Sequence, residues 1–263
     1  MLRAMSTAAT GMKAQQLNID TIAHNLANVN TSGYKKSHAE FQDLLYEVVS
    51  PGGSTRGSGL SNSSRVEVGH GTKLSATNKV FSQGAMMQTA NPLDLVVEGD
   101  GCFQVLLPDG DIGYTRDGSF KLDAERNIVT AAGYYMEPAL QIPEDAIEIS
   151  IARDGTISVL MSGDSSTIQE IGQLELVRFP NPAGLKNRGG NIFLESPASG
   201  TPIIGIAGED GLGEISQGYL EMSNVETVDE LIRMIAAQRA YELNSRTISV
   251  ADEMLQTINR LKR

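Results

Sequence analysis

Residues 1–30 carry a helical pattern of apolar positions. The positions are spaced by three and four residues, as in a heptad repeat, and only one of them is polar. This spacing predicts a helix over residues 2–29 with an apolar stripe along one side. The stripe consists of Leu2, Met5, Ala9, Met12, Gln16, Ile19, Ala23 and Leu26.

The end of the chain carries a second and longer pattern of the same kind. Residues 227–261 contain neither glycine nor proline, which predicts one uninterrupted helix over the whole range. Such a helix would be about 52 Å long. Its apolar positions are Val228, Leu231, Ile232, Ile235, Val250, Ala251, Met254, Ile258 and Leu261.

Between the two helices the pattern changes to short β-rich runs separated by turns. The runs DLVVEGD, CFQVLL, AIEISIA, TISVLM and QLELVRF lie between residues 94 and 179. Asp-Gly pairs favour tight turns, so we predict hairpins at Asp109-Gly110, Asp117-Gly118 and Asp154-Gly155. A Gly/Ser-rich stretch over residues 50–71 predicts an extended hairpin or loop.

Together these elements predict an α+β fold, with a mainly antiparallel β domain inserted between long N- and C-terminal helices. We predict a helical assembly domain from residues 1–30 and 224–263, an extended connector over residues 31–73 and the β domain over residues 74–223. Because exposed apolar stripes mark interaction surfaces, we expect the helices to pair as a coiled-coil-like rod and to bury their remaining face against other copies. The alternative is that they pack only on each other and on the β domain.

The composition excludes several classes of protein. The net charge is −11, with the acidic excess between residues 37 and 223, so a nucleic-acid partner has no basic surface to bind. No apolar run approaches 18 residues, which argues against a membrane-embedded protein. The N-terminus lacks the apolar core of a secretory signal peptide. We therefore expect a protein that is cytoplasmic or is exported without a cleaved signal.

A search for catalytic chemistry finds no constellation of residues that supports it. The three histidines lack metal-ligand spacing, and the chain contains neither a phosphate-binding glycine loop nor a nucleophile elbow. Cys102, the single cysteine, is predicted to be a buried strand residue. We therefore predict no catalytic, cofactor-binding or metal-binding site.

The segment HNLANVNTSGYKK, residues 24–36, follows the first helix. Taken locally, its asparagines favour turns and Gly33 favours a left-handed stop. It also resembles the N-terminal signature of the bacterial flagellar rod and hook family, Asn-(Leu/Ile)-Ala-Asn-x-(Asn/Asp)-Thr-x-Gly-(Phe/Tyr)-Lys. The residues of this candidate self-assembly motif are Asn25, Leu26, Ala27, Asn28, Val29, Asn30, Thr31, Gly33, Tyr34 and Lys35.

The resemblance extends to the rest of the chain in the order that the family shows. NPLDLVVEGDGCFQV resembles strands of the family's β domain, and the segment around Gln-Arg-Ala-Tyr-Glu is similar to its C-terminal helix. In that helix the candidate assembly residues are Val228, Leu231, Ile235, Gln238, Arg239, Ala240, Tyr241, Glu242, Met254 and Ile258.

The resemblance implies a structural subunit and no enzymatic activity. A single β domain with an insertion at residues 46–72 is most similar to subunits of the distal rod, the drive shaft that transmits motor torque to the hook and encloses the export channel. The implied location is the basal body, where the rod crosses the periplasm. The implied partners are other copies in a helical assembly, other rod subunits, the hook protein, the peptidoglycan-level and outer-membrane ring proteins and the flagellar type III export apparatus.

Other functions remain open at this point. Within the family, the chain could be the other single-β-domain rod subunit or a hook-type subunit. Outside it, the same elements suit a β-domain enzyme or binding module with helical oligomerisation arms, or a cytoplasmic scaffold with helical tails. Removal of both helices would separate a rod subunit from an enzyme, because an enzyme would keep its turnover. Secretion that depends on the flagellar export apparatus would exclude the cytoplasmic scaffold.

Overall fold

The structure is a computed structural model that describes residues 1–50, 66–161 and 168–261. Its contacts divide the chain into two compact units. The first, here called the helical unit, comprises Met1–Leu26, Ser37–Asn78 and Thr227–Arg263; the second, the β unit, comprises Ala27–Lys36 and Lys79–Glu226. The three-part division made from the sequence stays a prediction.

The helical unit contains two long helices and two pairs of strands. The elements are α1 (Leu2–Ala27), β1 (Ser37–Asp43), β2 (Tyr46–Ser50), β3 (Val66–Gly69), β4 (Thr72–Lys79) and α2 (Thr227–Leu261). β1 pairs with β4, and β2 pairs antiparallel with β3. Residues 51–65, which include most of the predicted Gly/Ser-rich hairpin or loop, lie outside the described residues.

Both helices form where the sequence predicts them. α2 covers the predicted range, and α1 ends two residues earlier than expected, at Ala27. The reason is a turn directly after the helix, in which the Thr31 N–H donates to the Asn28 carbonyl at 3.1 Å. This bond spans three residues, so the helical pattern of bonds over four residues does not continue.

The helices run antiparallel where they touch. Asn25 Nδ2 of α1 lies 3.3 Å from Glu230 Oε2 of α2, and a Cβ added to Gly11 would lie 3.0 Å from Asn244 Nδ2. Gly11 precedes Asn25 in α1 by the same number of residues by which Asn244 follows Glu230 in α2. A step back along one helix therefore matches a step forward along the other, as in antiparallel neighbours. The buried residues are mostly small: Ala8, Ala14, Ile22 and Asn25 on α1, and Glu230, Ala237 and Ala251 on α2.

The predicted apolar stripes lie mostly outside this contact. In α2, Val228 and Ile235 are 64% and 58% exposed, and Leu231, Met254 and Ile258 are exposed as well. In α1, the eight positions of the predicted stripe, all within the described residues, are exposed or half-buried. A single chain therefore leaves apolar surface uncovered along both helices.

The β unit is built from antiparallel strands. They are β5 (Met86–Gln88), β6 (Leu95–Glu98), β7 (Cys102–Leu106), β8 (Ile112–Thr115), β9 (Phe120–Leu122), β10 (Ile128–Thr130), β11 (Tyr135–Glu137), β12 (Ala146–Ile151), β13 (Thr156–Met161), β14 (Ile168–Gln173), β15 (Glu175–Arg178), β16 (Lys186–Gly189), β17 (Ile192–Leu194), β18 (Ile203–Ile206), β19 (Glu214–Gln217) and β20 (Tyr219–Glu221). A short 3-10 helix, Pro182–Gly184, precedes β16. The α+β class predicted from the sequence is confirmed.

Strand β7 is central to the largest sheet. Among the described residues this sheet has nine strands, in the order β16-β17-β8-β7-β11-β10-β9, with β15 beside the same edge of β7 as β11 and with β18 beside β15. β12, β13 and β14 form a second sheet, while β6 pairs with β19 and β5 with β20. Cross-strand neighbours fix the register, since Phe103 lies opposite Thr115 on one side and opposite Leu176 on the other.

The core of the β unit consists of two clusters of buried side chains. The larger includes Leu95, Phe103, Phe120, Ile157 and Leu176, and the rings of Phe103 and Phe120 meet edge to face at 5.2 Å. The smaller comprises Cys102, Tyr114, Val177, Phe179, Leu185 and Phe193. The successive β7 residues Cys102 and Phe103 therefore point into different clusters, because successive side chains of a strand lie on opposite faces.

Two of the three predicted hairpins are confirmed. β7 and β8 are joined through Asp109-Gly110, and β12 and β13 through Asp154-Gly155. The hairpin at Asp117-Gly118 is wrong, because β8 pairs with β7 and β17 while β9 pairs with β10. The Gly118 carbonyl instead accepts the Leu95 N–H at 3.0 Å, and Ser119 forms an isolated antiparallel bridge with Asp94, so this segment runs beside the start of β6.

Candidate functional site

The signature segment, residues 25–35, begins in the helical unit with Asn25. This residue lies on the last turn of α1 and is 2% exposed. Its Nδ2 donates to the Ser37 carbonyl at 2.9 Å, and its Oδ1 accepts the Ser37 N–H at 2.8 Å. The carboxamide thus bonds both backbone groups of the first residue of β1 and holds that strand against the end of α1.

Glu230 of α2 joins the same cluster. It is 1% exposed, accepts a hydrogen bond from Asn25 and lies 3.6 Å from Arg233 Nη1. Burial of a carboxylate is unfavourable unless hydrogen bonds and an opposite charge replace its hydration. Asn25 supplies the hydrogen bond and Arg233 supplies the opposite charge. These polar contacts hold α1, α2 and β1 together.

From Ala27 onward the segment belongs to the β unit. Asn224 holds its end, because the Asn224 Oδ1 accepts the Lys36 N–H at 2.7 Å and its Nδ2 donates to the Val80 carbonyl at 2.8 Å. The Val80 N–H in turn donates to the Lys36 carbonyl at 2.9 Å. One asparagine side chain thereby joins three distant stretches of the chain.

Gly33 adopts the left-handed backbone that the sequence predicts, with φ of +65°. It does not stop the helix, since α1 ends at Ala27. The backbone instead passes so close to a neighbouring stretch that a Cβ on Gly33 would lie 2.5 Å from the Asp117 nitrogen. The Gly33 N–H donates to the Glu221 carbonyl at 2.8 Å, which places the next residues beside β20.

Lys35 is the most buried cation of the segment. It is 1% exposed, and its Nζ donates to Glu221 Oε1 at 2.5 Å and to the Ser82 carbonyl at 2.7 Å. Glu221 Oε1 also accepts the Gly84 N–H at 2.8 Å, and Arg116 Nε lies 3.3 Å from Glu221 Oε2. Lys35, Glu221 and Arg116, here called the ion cluster, are all buried within the β unit.

The ion cluster holds two cations against one carboxylate. Burial lowers the pKa of Lys35; the attraction of Glu221 opposes this shift, and the neighbouring Arg116 adds to it. Two carbonyls compensate part of the charge of Arg116. Its Nη1 donates to the Gly101 carbonyl at 2.7 Å, and its Nη2 donates to the Gly99 carbonyl at 2.6 Å. Glu221 is therefore the residue on which both buried cations depend.

The remaining residues of the signature segment are less enclosed. Tyr34 is buried, and Lys79 Nζ lies 4.2 Å from the centre of its ring. Such a contact is a cation–π interaction. Ala27 and Asn30 are exposed, whereas five residues are half-buried: Leu26, Asn28, Val29, Thr31 and Ser32.

The candidate assembly residues of α2 are mostly on the surface of the single chain. Ala240 is half-buried, and the others are exposed: Val228, Leu231, Ile235, Gln238, Arg239, Tyr241, Glu242, Met254 and Ile258. Arg239 and Glu242 lie near each other at 3.1 Å. The structure thus separates the motif residues that are used inside the chain, such as Lys35, from those that remain available to a partner.

Sequence reasoning missed the partners of the buried motif residues. Arg116, Glu221 and Asn224 lie in strands or turns far along the chain, and their residue types are ordinary there. Glu230 lies in a helix whose other carboxylates are exposed, so composition gives no sign of its burial. The one local signal was Lys35, a lysine inside the signature segment, which indicates that an acidic partner lies elsewhere in the chain.

Cys102 is buried, as the sequence predicts, at the start of β7. Burial raises the pKa of its thiol to about 11, while Arg116 and Lys35 act in the opposite direction. Since the thiolate is the nucleophile, a thiol with this pKa is inert near neutral pH. Cys102 therefore contributes packing to the smaller core cluster and not reactivity.

We expect iodoacetamide at pH 8 to alkylate Cys102 at least about a hundredfold more slowly in the folded chain than in urea, because the thiol pKa rises from 9.0 to about 11 on folding. Mass spectrometry of timed samples measures both rates. Similar rates in the two states would show that the thiol is accessible and that this assignment is wrong.

Within the part of the chain that the structure describes, no group of three or more His, Cys, Asp or Glu side chains has the arrangement of a metal site. Among the same residues, neither helix combines the length and apolar character needed to cross a bilayer.

Three family models match this chain, and together they cover both helices and part of the β unit. The model described as "Flagella basal body rod protein" matches residues 5–35, which contain most of α1 and the signature segment. The "Flagellar hook protein FlgE/F/G D1 domain" matches residues 96–159, and the "Flagellar basal body rod FlgEFG protein C-terminal" matches residues 216–261.

Relatives match over the full length. The chain is 49% identical over 265 residues to the flagellar basal-body rod protein FlgG of Borreliella burgdorferi, with all of both chains covered. The chain belongs to the flagellar basal-body rod protein family. Other FlgG proteins of this family are 43% identical in Caulobacter vibrioides, over 99% of this chain, and 38% identical in Bacillus subtilis, over its full length. As a member of this rod family, the chain is a structural subunit of the flagellar basal body.

Proposed function

We propose that this chain assembles with other copies of itself into the distal rod, through the exposed apolar stripes of α1 and α2. The observation that carries the proposal is the exposure of these stripes in the single chain, where Val228 and Ile235 are more than half exposed. Uncovered apolar surface of this extent marks an interaction site. If α1 and α2 pair as a coiled-coil-like unit, both apolar stripes lie on the same pair of helices.

The contact between α1 and α2 within one chain supports assembly through the apolar stripes. α1 and α2 meet through small and polar residues, as at Gly11 beside Asn244 and at the Asn25–Glu230 pair. Their larger apolar side chains are therefore left for other copies. Many copies joined through unlike patches form an open helical array, which is the arrangement that a rod requires.

The proposed location and partners follow from membership of the rod family. The assembled chain would transmit torque toward the hook and enclose the export channel. Other rod subunits, the hook protein, the ring proteins and the type III export apparatus would be its neighbours. Export by that apparatus would need no cleaved signal peptide.

We expect Ile235→Asp to abolish assembly or to raise the concentration required for it by at least about a hundredfold. The reason is that burial of an aspartate in an apolar contact carries a penalty of several kcal/mol. Sedimentation and electron microscopy of the purified chain measure this effect. The matched control is Ser245→Asp, which places the same charge at an exposed polar position of α2.

The control variant should assemble like the unsubstituted chain. Circular dichroism of each dilute variant would show that the helices and strands still form. Normal tubes from Ile235→Asp would contradict assembly through this stripe. Failure of the unsubstituted chain to assemble at any accessible concentration would contradict self-assembly itself.

A further inference from the structure

A groove with an apolar floor and two lysines at its rim lies on the helical unit. Its floor consists of Ala14, Leu17, Leu44 and Leu74, and the exposed lysines are Lys13 and Lys73. Ala14 is buried, and the three leucines are half-buried. The cavity has a volume of about 390 Å³, enough for two or three large side chains. We call it the lysine groove.

The lysine groove is shaped by the crossing of the chain over α1. The Thr72 N–H donates to Thr10 Oγ1 at 3.3 Å, and Gly71 packs against Thr10 so closely that a Cβ there would lie 2.1 Å from its hydroxyl. This crossing places β4 beside the middle of α1. The groove is therefore formed by elements of a single chain within the helical unit.

The start of α2 has the complementary surface. Val228 and Ile232, four residues apart on the helix, are 64% and 60% exposed, and Asp229 beside them is exposed as well. The first turn of α2 is acidic, with Asp229 and Glu230, and of these Glu230 is buried against Asn25. Two apolar side chains flanked by one free carboxylate match an apolar floor flanked by lysines.

The start of α2 cannot reach the lysine groove of its own chain. Because the helices are antiparallel, Glu230 lies beside Asn25, whereas the groove lies at Lys13 to Leu17 of α1. About ten residues of helix, or about 15 Å, separate the two positions. A second copy of the chain can supply the same segment without this restriction.

We propose that the lysine groove receives Val228 and Ile232 of a second copy, with Asp229 of that copy between Lys13 and Lys73. This inference rests on the proposed self-assembly and names the two patches that meet. The groove and the start of α2 are different surfaces, so each bound copy presents a free groove or a free helix start to the next. The contact therefore propagates and does not close into a dimer.

The test is an exchange of charges. Lys73→Glu and Asp229→Lys, each alone, should raise the concentration required for assembly by about tenfold or more, because each replaces an attraction by a repulsion across the contact. The two substitutions in one chain should restore assembly to near the unsubstituted level. The matched control combines Lys73→Glu with Glu253→Lys, which should not restore it, although Glu253 is also an exposed carboxylate beside exposed apolar residues of α2.

A second measurement does not depend on charge. Lys73→Cys and Asp229→Cys chains, prepared separately and mixed, should form a disulfide-linked dimer on oxidation, whereas Lys73→Cys mixed with Glu253→Cys should not. The native Cys102 is buried and does not interfere. Circular dichroism of each variant verifies folding.

Each outcome decides the proposal. Restored assembly with a specific cross-link supports it. Normal assembly of both single variants, a failure of the double variant to recover, or equal cross-linking of the control pair would overturn the groove contact while leaving self-assembly intact. Absence of any assembly by the unsubstituted chain would remove the proposed function and, with it, this contact.

Discussion

Glu221→Gln is expected to destabilise the β unit by about 3–5 kcal/mol. The substitution preserves the shape of the side chain and removes the only carboxylate of the ion cluster, which leaves the charges of Lys35 and Arg116 buried without an anion. Removal of one member of a buried ion pair has this effect because the remaining charge lacks both water and partner. Urea unfolding of the dilute chain, followed by circular dichroism, measures the loss.

Two variants provide the comparison for Glu221. Glu214→Gln removes an exposed carboxylate that lies 3.4 Å from Arg153, and it should change the free energy of unfolding by no more than about 0.5 kcal/mol. Lys35→Met should destabilise less than Glu221→Gln, since it leaves one cation with one anion in the cluster. A larger loss for Lys35→Met than for Glu221→Gln would contradict this description of the charge balance.

Gly33→Ala is expected to destabilise the β unit by about 2–4 kcal/mol. A left-handed backbone conformation alone costs a non-glycine residue about 1–2 kcal/mol. Here the added Cβ would also lie 2.5 Å from the Asp117 nitrogen and 2.7 Å from the Arg116 carbonyl carbon, and backbone atoms cannot move aside as a flexible side chain can. The required shift would displace Arg116, so the ion cluster would be disturbed as well.

Gly110→Ala separates these two contributions. Gly110 has φ of +86°, and a Cβ there meets no atom within 4 Å. Its replacement should therefore show the conformational cost alone, about 1–2 kcal/mol. Denaturant unfolding of both variants gives the difference. Equal losses at the two glycines would show that the close approach at Gly33 carries no energetic weight.

The sequence predicts the elements of this fold well because their signals are local. α2 is long and free of glycine and proline, and its observed bounds, Thr227–Leu261, match the expected range. Short strands such as β7 and β13 also coincide with their apolar runs. The error at Asp117-Gly118 has a non-local cause, since a pair of residues typical of a hairpin lies here in a segment that bonds to the start of β6.

The candidate site is less predictable, since its geometry depends on contacts between distant residues. The spacing in residues 25–35 identifies the family, but it does not distinguish residues that bind within the chain from residues that are open to a partner. Lys35 and Glu221 are 186 residues apart, and Asn25 and Glu230 are 205 apart. No local pattern encodes such pairs. The apolar stripe of α2 could be found because periodicity is a property of the helix itself.

The bonds around Asn224 have a consequence for the order in which the chain folds. Pairing of Asn25 with Glu230 closes a loop of 205 residues if the rest of the chain is unfolded. Once Asn224 has bonded to Lys36, only about 17 residues remain between the same two partners, which lowers the entropic cost of closure by about 2 kcal/mol. Folding of the β unit thereby lowers the entropic cost of bringing α1 and α2 together. In this order of folding, α1 and α2 would come together only after the intervening strands have formed, so the helical unit would be the last part of the chain to be completed.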